Sequence, residues 1–277
     1  MTTRTHTAGR VAALFRYPVK SMVGETCATI DVSPLGVGGD RRYAFIDDET
    51  GRVATAKNPR LWRGLLQCSA GTGPAGVTVT LPAAQPVPVA EAAAPLSELL
   101  GRHVHLAEER AAGAMVERSD PVDVLAHGLD ADIEAALLEI AEGTPGGAFV
   151  DHSPVHLVTT ATLDAVGVGM AEALRYRPNI VVETPPDCPA FVENDWVGRT
   201  IAVGPDGVEL RATLPTPRCS VPTLQHSEVG RSPQSVRYLL EHNRVEATGF
   251  GVLPCAGLYA EVLTGGVLRA GDAVCIG

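Results

Sequence analysis

Short runs of β-forming residues, broken repeatedly by glycine and proline, constrain the fold of this chain more than any other feature. In the first third these runs have the length of strands and are rich in Val, Thr, Ile and aromatic residues, as in GRVAALFRYPVKSM, ETCATIDVSP and GVTVTLP. The segment FIDDETGRVAT has turn residues between two alternating runs, which predicts a hairpin. The end of the chain, GLYAEVLTGGVLRAGDAVCIG, has the same character and predicts two strands across its Gly-Gly pair.

Helical patterns are fewer and irregularly placed. APLSELLGRHVHL predicts a short helix that ends at Gly101, and DADIEAALLEIAEG and TTATLDAVGVGMAEAL predict amphipathic helices. SPQSVRYLLEHN predicts another helix, with Ser232 as its cap and Pro233 at its first position. Strands outnumber helices without regular β-α alternation, which favours a β-barrel or an α+β domain over a doubly wound sheet. The predicted fold class is therefore mostly β with α+β elements.

A polar stretch of small residues divides the chain. EERAAGAMVERSDPVDVLAHG lacks a strand or helix pattern and predicts a linker or mobile loop. The 277 residues are enough for two ordinary domains. We predict an N-terminal β domain over residues 9–108, a linker over 109–126 and a second domain over 127–277.

Net charge and hydropathy exclude several classes of partner. The formal net charge of −10 argues against nonspecific binding to nucleic acids or to anionic membranes, because both need a clustered positive field. The apolar run near the start is too short for a signal peptide, and no stretch approaches the length of a membrane span. We therefore expect a cytoplasmic protein with neither nucleic-acid nor membrane partners.

One of the six cysteines stands out. The cysteines are widely separated, without a Cys-x-x-Cys pair, so neither structural zinc nor disulfides are expected. Cys68, Cys255 and Cys275 lie among apolar residues and are interpreted as buried structural thiols. Cys219, in PTPRCSVPTLQ, follows Arg218, whose charge favours the thiolate that attacks electrophiles or binds soft metals. The alternative is a structural cysteine at the entry to a strand, beside an arginine in a surface ion pair.

Several basic residues lie at the ends of predicted elements, beside glycine or proline. Exposed backbone N–H groups, together with Lys, Arg, Ser and Asn side chains, suit phosphate or another multivalent anion. Taken singly, each basic residue is equally compatible with a solvated or ion-paired surface position. The set comprises Lys20 with Ser21, Arg41 with Arg42, Arg177 with Asn179, and Arg218.

An ordered series of motifs gives this chain a family resemblance. YPVKS, GGDRRYAFID, ATAKNPRL, HSPVHLVTTATL, RPNIVVE, FVENDWVGRTIAVG, PRCSVPT and GVLRAGDAV follow one another as they do in MOSC proteins that carry the N-terminal MOSC β-barrel region. That family includes the C-terminal domain of molybdenum-cofactor sulfurase, the mitochondrial amidoxime-reducing component and bacterial enzymes that reduce N-hydroxylated bases. The resemblance implies a MOSC β-barrel domain plus an N-terminal β-barrel-like domain, with the molybdenum cofactor (Mo-molybdopterin) between them.

The resemblance also implies roles for individual residues. Cys219 matches the cysteine that ligates molybdenum, which makes it the implied metal ligand and catalytic residue. The implied cofactor-binding residues are Lys20, Ser21, Arg41, His152, Ser153, Arg177, Asn179 and Arg218. The prolines around Cys219 would stiffen the turn that carries it. Where reductase relatives have an Asp-Pro-x-Thr-Gly loop, this chain has LQHSEVGR, so the resemblance does not define the substrate rim near His226 and Glu228.

Three functions from different classes remain open at this point. The first is a molybdenum-dependent oxidoreductase that reduces an N-hydroxylated small molecule. Because no ferredoxin-like cysteine cluster follows Gly277, its electrons are expected from a separate donor protein of the flavin or iron-sulfur reductase type. The second is a carrier of the molybdenum cofactor or of sulfur, with a persulfide on Cys219. The third is an interaction domain that keeps the scaffold without its chemistry.

Overall fold

The computed structural model describes residues 6–277, in which strands predominate and helices are short. The strands are β1 (His6–Arg16), β2 (Glu25–Cys27), β3 (Thr29–Ser33), β4 (Gly36–Val37), β5 (Ala44–Asp47), β6 (Ser69–Gly73), β7 (Gly76–Thr80), β8 (Val87–Pro88), β9 (Val104–Ala107), β10 (Met115–Ser119), β11 (Ala135–Glu139), β12 (Val155–Thr159), β13 (Ile180–Glu183), β14 (Thr200–Val203), β15 (Val208–Pro217), β16 (Arg244–Ala247), β17 (Gly251–Thr264), β18 (Gly266–Arg269) and β19 (Ala273–Ile276). The helices are α1 (Pro59–Trp62), α2 (Ala93–Leu100), α3 (Pro121–His127), α4 (Thr160–Ala165) and α5 (Gln234–His242). Short 3₁₀ turns span Arg63–Gln67, Val89–Glu91, Met170–Tyr176, Val192–Trp196 and Val221–Thr223.

Seven strands close into a barrel. Their order is β12-β13-β1-β19-β14-β15-β17, and β17 pairs back with β12. The β12–β13 pair is parallel and the other six pairs are antiparallel. This closure confirms the predicted mostly β fold with a barrel.

Alternation along the strands explains which side of the sheet is buried. In β15, Val208, Leu210 and Ala212 are buried while the residues between them are exposed, as expected for a strand with one face in a core. Ile201 and Val203 of the neighbouring β14 follow the same period. Each fully buried Val or Leu side chain contributes about 1.5–3 kcal/mol relative to exposure, so this apolar interior holds the barrel together.

The N-terminal half has a second core. Its strands form the pair β5–β9 and the sheet β6–β7–β8, which pack with α2 around Trp62, Leu65 and Leu96. The two halves are interleaved, because β1 belongs to the barrel and β18 leaves the C-terminal half to pair with β3. The domain limits 9–108 and 127–277 stay a prediction.

Two predicted local structures are wrong. The stretch 109–126, predicted as a linker or mobile loop, contains β10 and most of α3, and the latter is capped by Asp120, whose carboxylate accepts a hydrogen bond from the Val122 amide at 2.7 Å. The segment DADIEAALLEIAEG, predicted as a helix, contains β11, which pairs with β10 along its full length. Ala, Leu and Glu favour helices only weakly, and pairing with a partner strand overrides that preference.

Within residues 6–277, no helix has both the length and the apolar character needed to cross a membrane.

Candidate functional site

A cavity of about 270 Å³ opens among the loops at the ends of the barrel strands and the β10–β11 hairpin. All nine residues that the sequence predicts for the site line it, namely Lys20, Ser21, Arg41, His152, Ser153, Arg177, Asn179, Arg218 and Cys219. The structure therefore brings together residues that are up to 199 positions apart in the chain. What each residue binds stays a prediction.

Strand ends and strained backbone place these side chains. Cys219 directly follows the end of β15. His152 and Ser153 precede β12, Arg177 and Asn179 precede β13, and all four line the same cavity. Ser21, Arg41 and Arg177 have positive φ angles of 62°, 46° and 55°, a region that non-glycine residues seldom occupy. Such conformations are concentrated at functional sites, where the surrounding structure holds them in place.

Lys20 and Asp151 form an ionic cluster at one wall of the cavity. The Lys20 ammonium donates to Asp151 Oδ1 at 2.7 Å and to the Phe149 carbonyl at 2.8 Å. Lys57 Nζ also lies 2.9 Å from Asp151 Oδ1. Burial lowers the pKa of Lys20 to about 8, against the opposing effect of Asp151. Burial alone would raise the pKa of Asp151, but the two lysines hold it well below its usual range.

Arg41 and Arg177 lie against the same tyrosine. Their guanidinium carbons are 4.6 and 4.4 Å from the centre of the Tyr17 ring. Arg41 pairs with Asp40 and donates to the Arg177 carbonyl at 3.0 Å. Arg177 donates to the Met22 carbonyl at 2.5 Å, but its second terminal nitrogen, which is buried, has no hydrogen-bond partner. Burial, followed by repulsion from Arg41, lowers the pKa of Arg177 to about 10.

Arg218 and His156 form the floor of the cavity. Arg218 donates to the Tyr176 carbonyl at 2.7 Å, while its Nε, also buried, is unpaired. His156 Nδ1 lies 3.2 Å from the Arg177 carbonyl, so this nitrogen carries the proton and donates. Its Nε2 then faces the Arg218 guanidinium at 3.5 Å as an acceptor. Burial, and then the charge of Arg218, holds the pKa of His156 well below its usual range, so the ring is neutral.

Cys219 lies where the basic cavity meets an apolar cluster. The residue is 9% exposed, lines the cavity and packs in a group with Ala56, Leu66, Val221 and Leu224. The turn that carries it is fixed by the Arg218 amide, which donates to the Pro254 carbonyl at 2.8 Å, and by the hydroxyl of Thr223, which donates to the Ser220 carbonyl at 2.7 Å. A thiol held rigidly at a cavity wall is well placed to ligate a soft metal.

The electrostatics and the unpaired donors of the cavity fit an anionic ligand. Six cationic side chains line it, against three carboxylates, in a chain of net charge −10; the cations are Lys20, Arg41, Lys57, Arg118, Arg177 and Arg218. Of the seven buried, unpaired side-chain atoms in residues 6–277, four belong to Arg177, Thr216, Arg218 and Ser220, on or beside the cavity. Buried donors without partners are rare in proteins and destabilise the fold, so this concentration fits a phosphate-bearing group as the missing partner.

An aromatic wall faces the other side of the cavity. The His152 ring stacks on Tyr259 with centroids 5.7 Å apart, and meets the edge of Phe250 at 5.4 Å. Ser153 Oγ lies 2.8 Å from His152 Nδ1 and fixes the orientation of the ring. Burial lowers the pKa of His152 below its usual value. Together these rings offer a flat apolar surface beside the charged groups.

Two of the predicted residues are already engaged within the protein. The Asn179 side-chain carbonyl accepts from the His156 amide at 3.1 Å, and its amide group lies 3.4 Å from the Phe15 carbonyl. Ser21 Oγ accepts from the Ala56 amide at 3.2 Å. Their contacts are those of residues that shape the wall of the cavity.

Five further cavity residues were missed by the sequence reasoning, namely Lys57, Arg118, Asp151, His156 and Tyr259. Asp151 and His156 lie close in sequence to the predicted pair His152 and Ser153, and this proximity could have identified them as cavity residues. Arg118 lies in the stretch predicted as a linker, and for that reason it was not predicted as a site residue. It donates to the Arg218 carbonyl at 3.3 Å and so ties β10 to the turn of Cys219.

Comparison with known proteins identifies the family. The MOSC domain family model matches residues 145–275, and the MOSC N-terminal beta barrel domain matches residues 8–111. The chain is thus a MOSC-domain protein with the N-terminal MOSC β-barrel domain. The MOSC domain family is associated with binding of the molybdenum cofactor.

Individual relatives are distant. The chain is 23% identical to mitochondrial amidoxime-reducing component 1 of Mus musculus, over 98% of this chain and 83% of that protein. It is 24% identical to mitochondrial amidoxime-reducing component 1 of Homo sapiens, over 96% of this chain and 82% of that protein. The crystal structure of the YuaD protein from Bacillus subtilis matches with a TM-score of 0.46 at 12% identity, covering 99% of this chain and 97% of that one.

Proposed function

We propose that this chain binds the molybdenum cofactor in the cavity, with Cys219 as the metal ligand, and reduces N-hydroxylated small molecules. The observation that carries the proposal is the convergence of a buried thiol with six cationic side chains in one cavity. A phosphate-bearing pterin that also carries a thiolate-bound metal requires both kinds of group. The matches to two amidoxime-reducing components support the choice of reaction.

The residues divide according to the part of the cofactor that they would hold. Lys20, Arg41 and Arg177 would bind its phosphate and pterin, because the free Arg177 nitrogen is already buried and needs an acceptor. Arg218 would face the metal end beside Cys219. When bound, the cofactor would supply a metal that changes oxidation state by two electrons during oxygen-atom transfer.

The protein itself would position the substrate and manage charge and water. Reduction breaks the N–O bond, takes up two electrons and two protons, and releases an amine-type nitrogen and water. The electrons would come from a separate donor protein of the flavin or iron-sulfur reductase type. The walls formed by the β10–β11 hairpin, His152 and Phe250 would exclude bulk water and hold the N-hydroxyl group toward Cys219.

A reduction assay tests this proposal. Protein purified from a host that makes the cofactor is given benzamidoxime and reduced methyl viologen as an artificial electron donor, and benzamidine is measured by chromatography. We expect benzamidine from the wild type and none above background from C219S. C255S is the matched control, because Cys255 is fully buried outside the cavity lining; it should fold less stably but keep its activity.

The same assay decides between reduction and carriage. A carrier cysteine must reach its acceptor protein, and the burial of Cys219 at a cavity wall favours a fixed metal ligand over a mobile persulfide. Wild-type protein that contains molybdenum but forms no benzamidine would contradict the reductase. Sulfide released by a mild reductant from the wild type but not from C219S would then identify a persulfide carrier.

A further inference from the structure

One hydroxyl group at the cavity wall has no partner within the protein. Five side chains that carry a hydroxyl line the cavity, and four of them are hydrogen-bonded, namely Ser21, Thr55, Ser153 and Tyr176. The fifth is Tyr259, whose hydroxyl forms no hydrogen bond with any group in residues 6–277 and is not enclosed by them either. This hydroxyl therefore opens into the cavity and is free to donate to a bound molecule.

The strand pairing of the barrel fixes the Tyr259 ring. Tyr259 lies in β17, opposite His156 of β12, and its backbone carbonyl accepts a hydrogen bond from the Thr213 hydroxyl at 3.0 Å. The ring contacts two imidazoles: it stacks on His152, and it meets the His156 ring at an interplanar angle of 61°, with centroids 5.7 Å apart in both pairs. A side chain held on a strand and packed against two rings presents its polar end in one direction.

Charged groups of the cavity lie near enough to affect this hydroxyl. Burial raises the pKa of Tyr259 above its usual range, and the Asp151 carboxylate raises it further, while the charges of Arg218 and Arg41 act in the opposite direction. The phenol therefore keeps its proton at neutral pH. It is a neutral donor in a cavity that Cys219 also lines.

A neutral donor suits the substrate better than the cofactor. Six cationic side chains are already present for an anionic group, and Tyr259 belongs instead to the aromatic wall formed with His152 and Phe250. In the proposed reaction the oxygen of the N-hydroxyl group ends in water, so this oxygen gains negative charge as the N–O bond breaks. A donor that is held in place at that oxygen stabilises the transition state more than the ground state.

We propose that the Tyr259 hydroxyl donates a hydrogen bond to the oxygen of the substrate's N-hydroxyl group, and that Tyr259 is thereby a catalytic residue. This inference rests on the proposed function, since it adds a residue to the same reaction. Tyr259 keeps its own O–H bond in this role, and the two protons that the reduction takes up come from solvent. The hydrogen bond strengthens as the N–O bond breaks, because the charge on its acceptor increases.

A binding measurement tests the contact itself. Benzamidoxime carries the N-hydroxyl oxygen, and benzamidine lacks it. Their binding to wild type and Y259F, purified from the cofactor-producing host, is measured by calorimetry without an electron donor, so that no turnover occurs. Y259F should bind benzamidoxime about three- to tenfold more weakly than the wild type does, the range expected for one hydrogen bond. It should bind benzamidine with the wild-type affinity, because that ligand has no oxygen for the hydroxyl to reach.

Kinetics and stability test the catalytic role. Y259F should lower kcat for benzamidoxime about a hundredfold, more than it weakens binding, because the donor acts mainly in the transition state. Y176F is the matched control: Tyr176 also lines the cavity, but its hydroxyl donates to the Ser235 carbonyl at 2.6 Å. Y176F should keep the wild-type kcat and have a lower melting temperature, because it leaves that buried carbonyl unpaired. Y259F should keep the wild-type melting temperature, because its hydroxyl has no partner to lose.

Three results would overturn the inference. The first is a Y259F protein in which both ligands, or neither, bind more weakly than to the wild type. The second is a wild-type kcat in Y259F, which would remove the role of Tyr259 and leave the reductase standing. The third is a loss of molybdenum from Y259F, because the hydroxyl would then contact the cofactor. Failure of the proposed function looks different, since the wild type itself would then form no benzamidine.

Discussion

Replacing Arg177 with methionine should change the stability of the cofactor-free protein by no more than about 1 kcal/mol, although it removes a partly buried arginine. Burial, followed by repulsion from Arg41, lowers the pKa of Arg177 from its ordinary value to about 10. At about 1.4 kcal/mol for each pKa unit, keeping this charge at neutral pH destabilises the fold by about 3 kcal/mol. The lost hydrogen bond to the Met22 carbonyl and the lost contact with Tyr17 contribute about 2–4 kcal/mol in the other direction.

Arg175, two residues earlier, provides the matched control. It is 3% exposed and donates to the carbonyls of the buried residues Pro222 and Leu224 and to the carbonyl of the exposed Gly230. R175M leaves these acceptors unpaired and should destabilise the protein by on the order of 3–5 kcal/mol. Arg175 is buried and has its donors paired within the protein, whereas Arg177 is partly buried and has one terminal nitrogen without a partner, so opposite effects are expected.

Urea unfolding followed by circular dichroism measures both effects, on protein made in a host that cannot synthesise the cofactor. The same variants, made in a host that does synthesise it, are analysed for molybdenum. R177M should retain at least tenfold less molybdenum than the wild type, equivalent to about 1.4 kcal/mol of lost binding free energy. An R177M protein that is as unstable as R175M would refute the reasoning, because Arg177 would then be a structural residue.

Two further predictions concern groups behind the cavity. Burial lowers the pKa of His226 to about 4, so between pH 6.5 and pH 4 the unfolded chain binds a proton at this residue that the folded chain does not. The free energy of unfolding should therefore fall as the pH decreases through this window. In urea titrations at each pH, H226N should reduce the slope of that fall by the equivalent of about one proton. An unchanged slope would contradict this account of His226. Gly257 has a φ of +75°, and a Cβ there would lie 2.4 Å from the Leu157 carbonyl oxygen, so G257A should destabilise the protein by more than about 2 kcal/mol. Gly249, with a φ of +86° and open space around it, is the control; G249A should cost about 1 kcal/mol, and equal effects would refute the predicted clash.

Local turn and helix chemistry could be predicted from the sequence where the signal is carried by neighbouring residues. The helix that ends at Gly101 was predicted because glycine adopts the left-handed conformation, and its φ is 64°. The hairpin around Gly51 was predicted from its turn residues. Long-range pairing was not predictable in this way: the sequence predicted strands on both sides of the Gly-Gly pair but not their partners, and β18 pairs with β3. Nothing in the sequence of β18 specifies its partner, since any strand of matching length and polarity would serve.

The candidate site was only partly accessible to reasoning from residue types. Cys219 beside Arg218, and basic residues at element ends, indicated a thiol and an anion site, but only the family resemblance joined them into one. The structure shows why: Lys20 and Cys219 come from opposite halves of the chain and are brought together only by the tertiary fold. Residues such as Asp151 acquire their role from Lys20 and Lys57, and no local pattern reveals that.

X-ray absorption at the molybdenum edge tests the central claim, that this cavity holds the molybdenum cofactor through Cys219, most directly. The measurement compares wild type, C219S and C255S, each purified from the cofactor-producing host. We predict molybdenum in the wild type and in C255S with the same number of sulfur neighbours, and one sulfur neighbour fewer at whatever molybdenum C219S retains. Wild-type protein without molybdenum, or C219S with the same loading and the same sulfur count as the wild type, would contradict it.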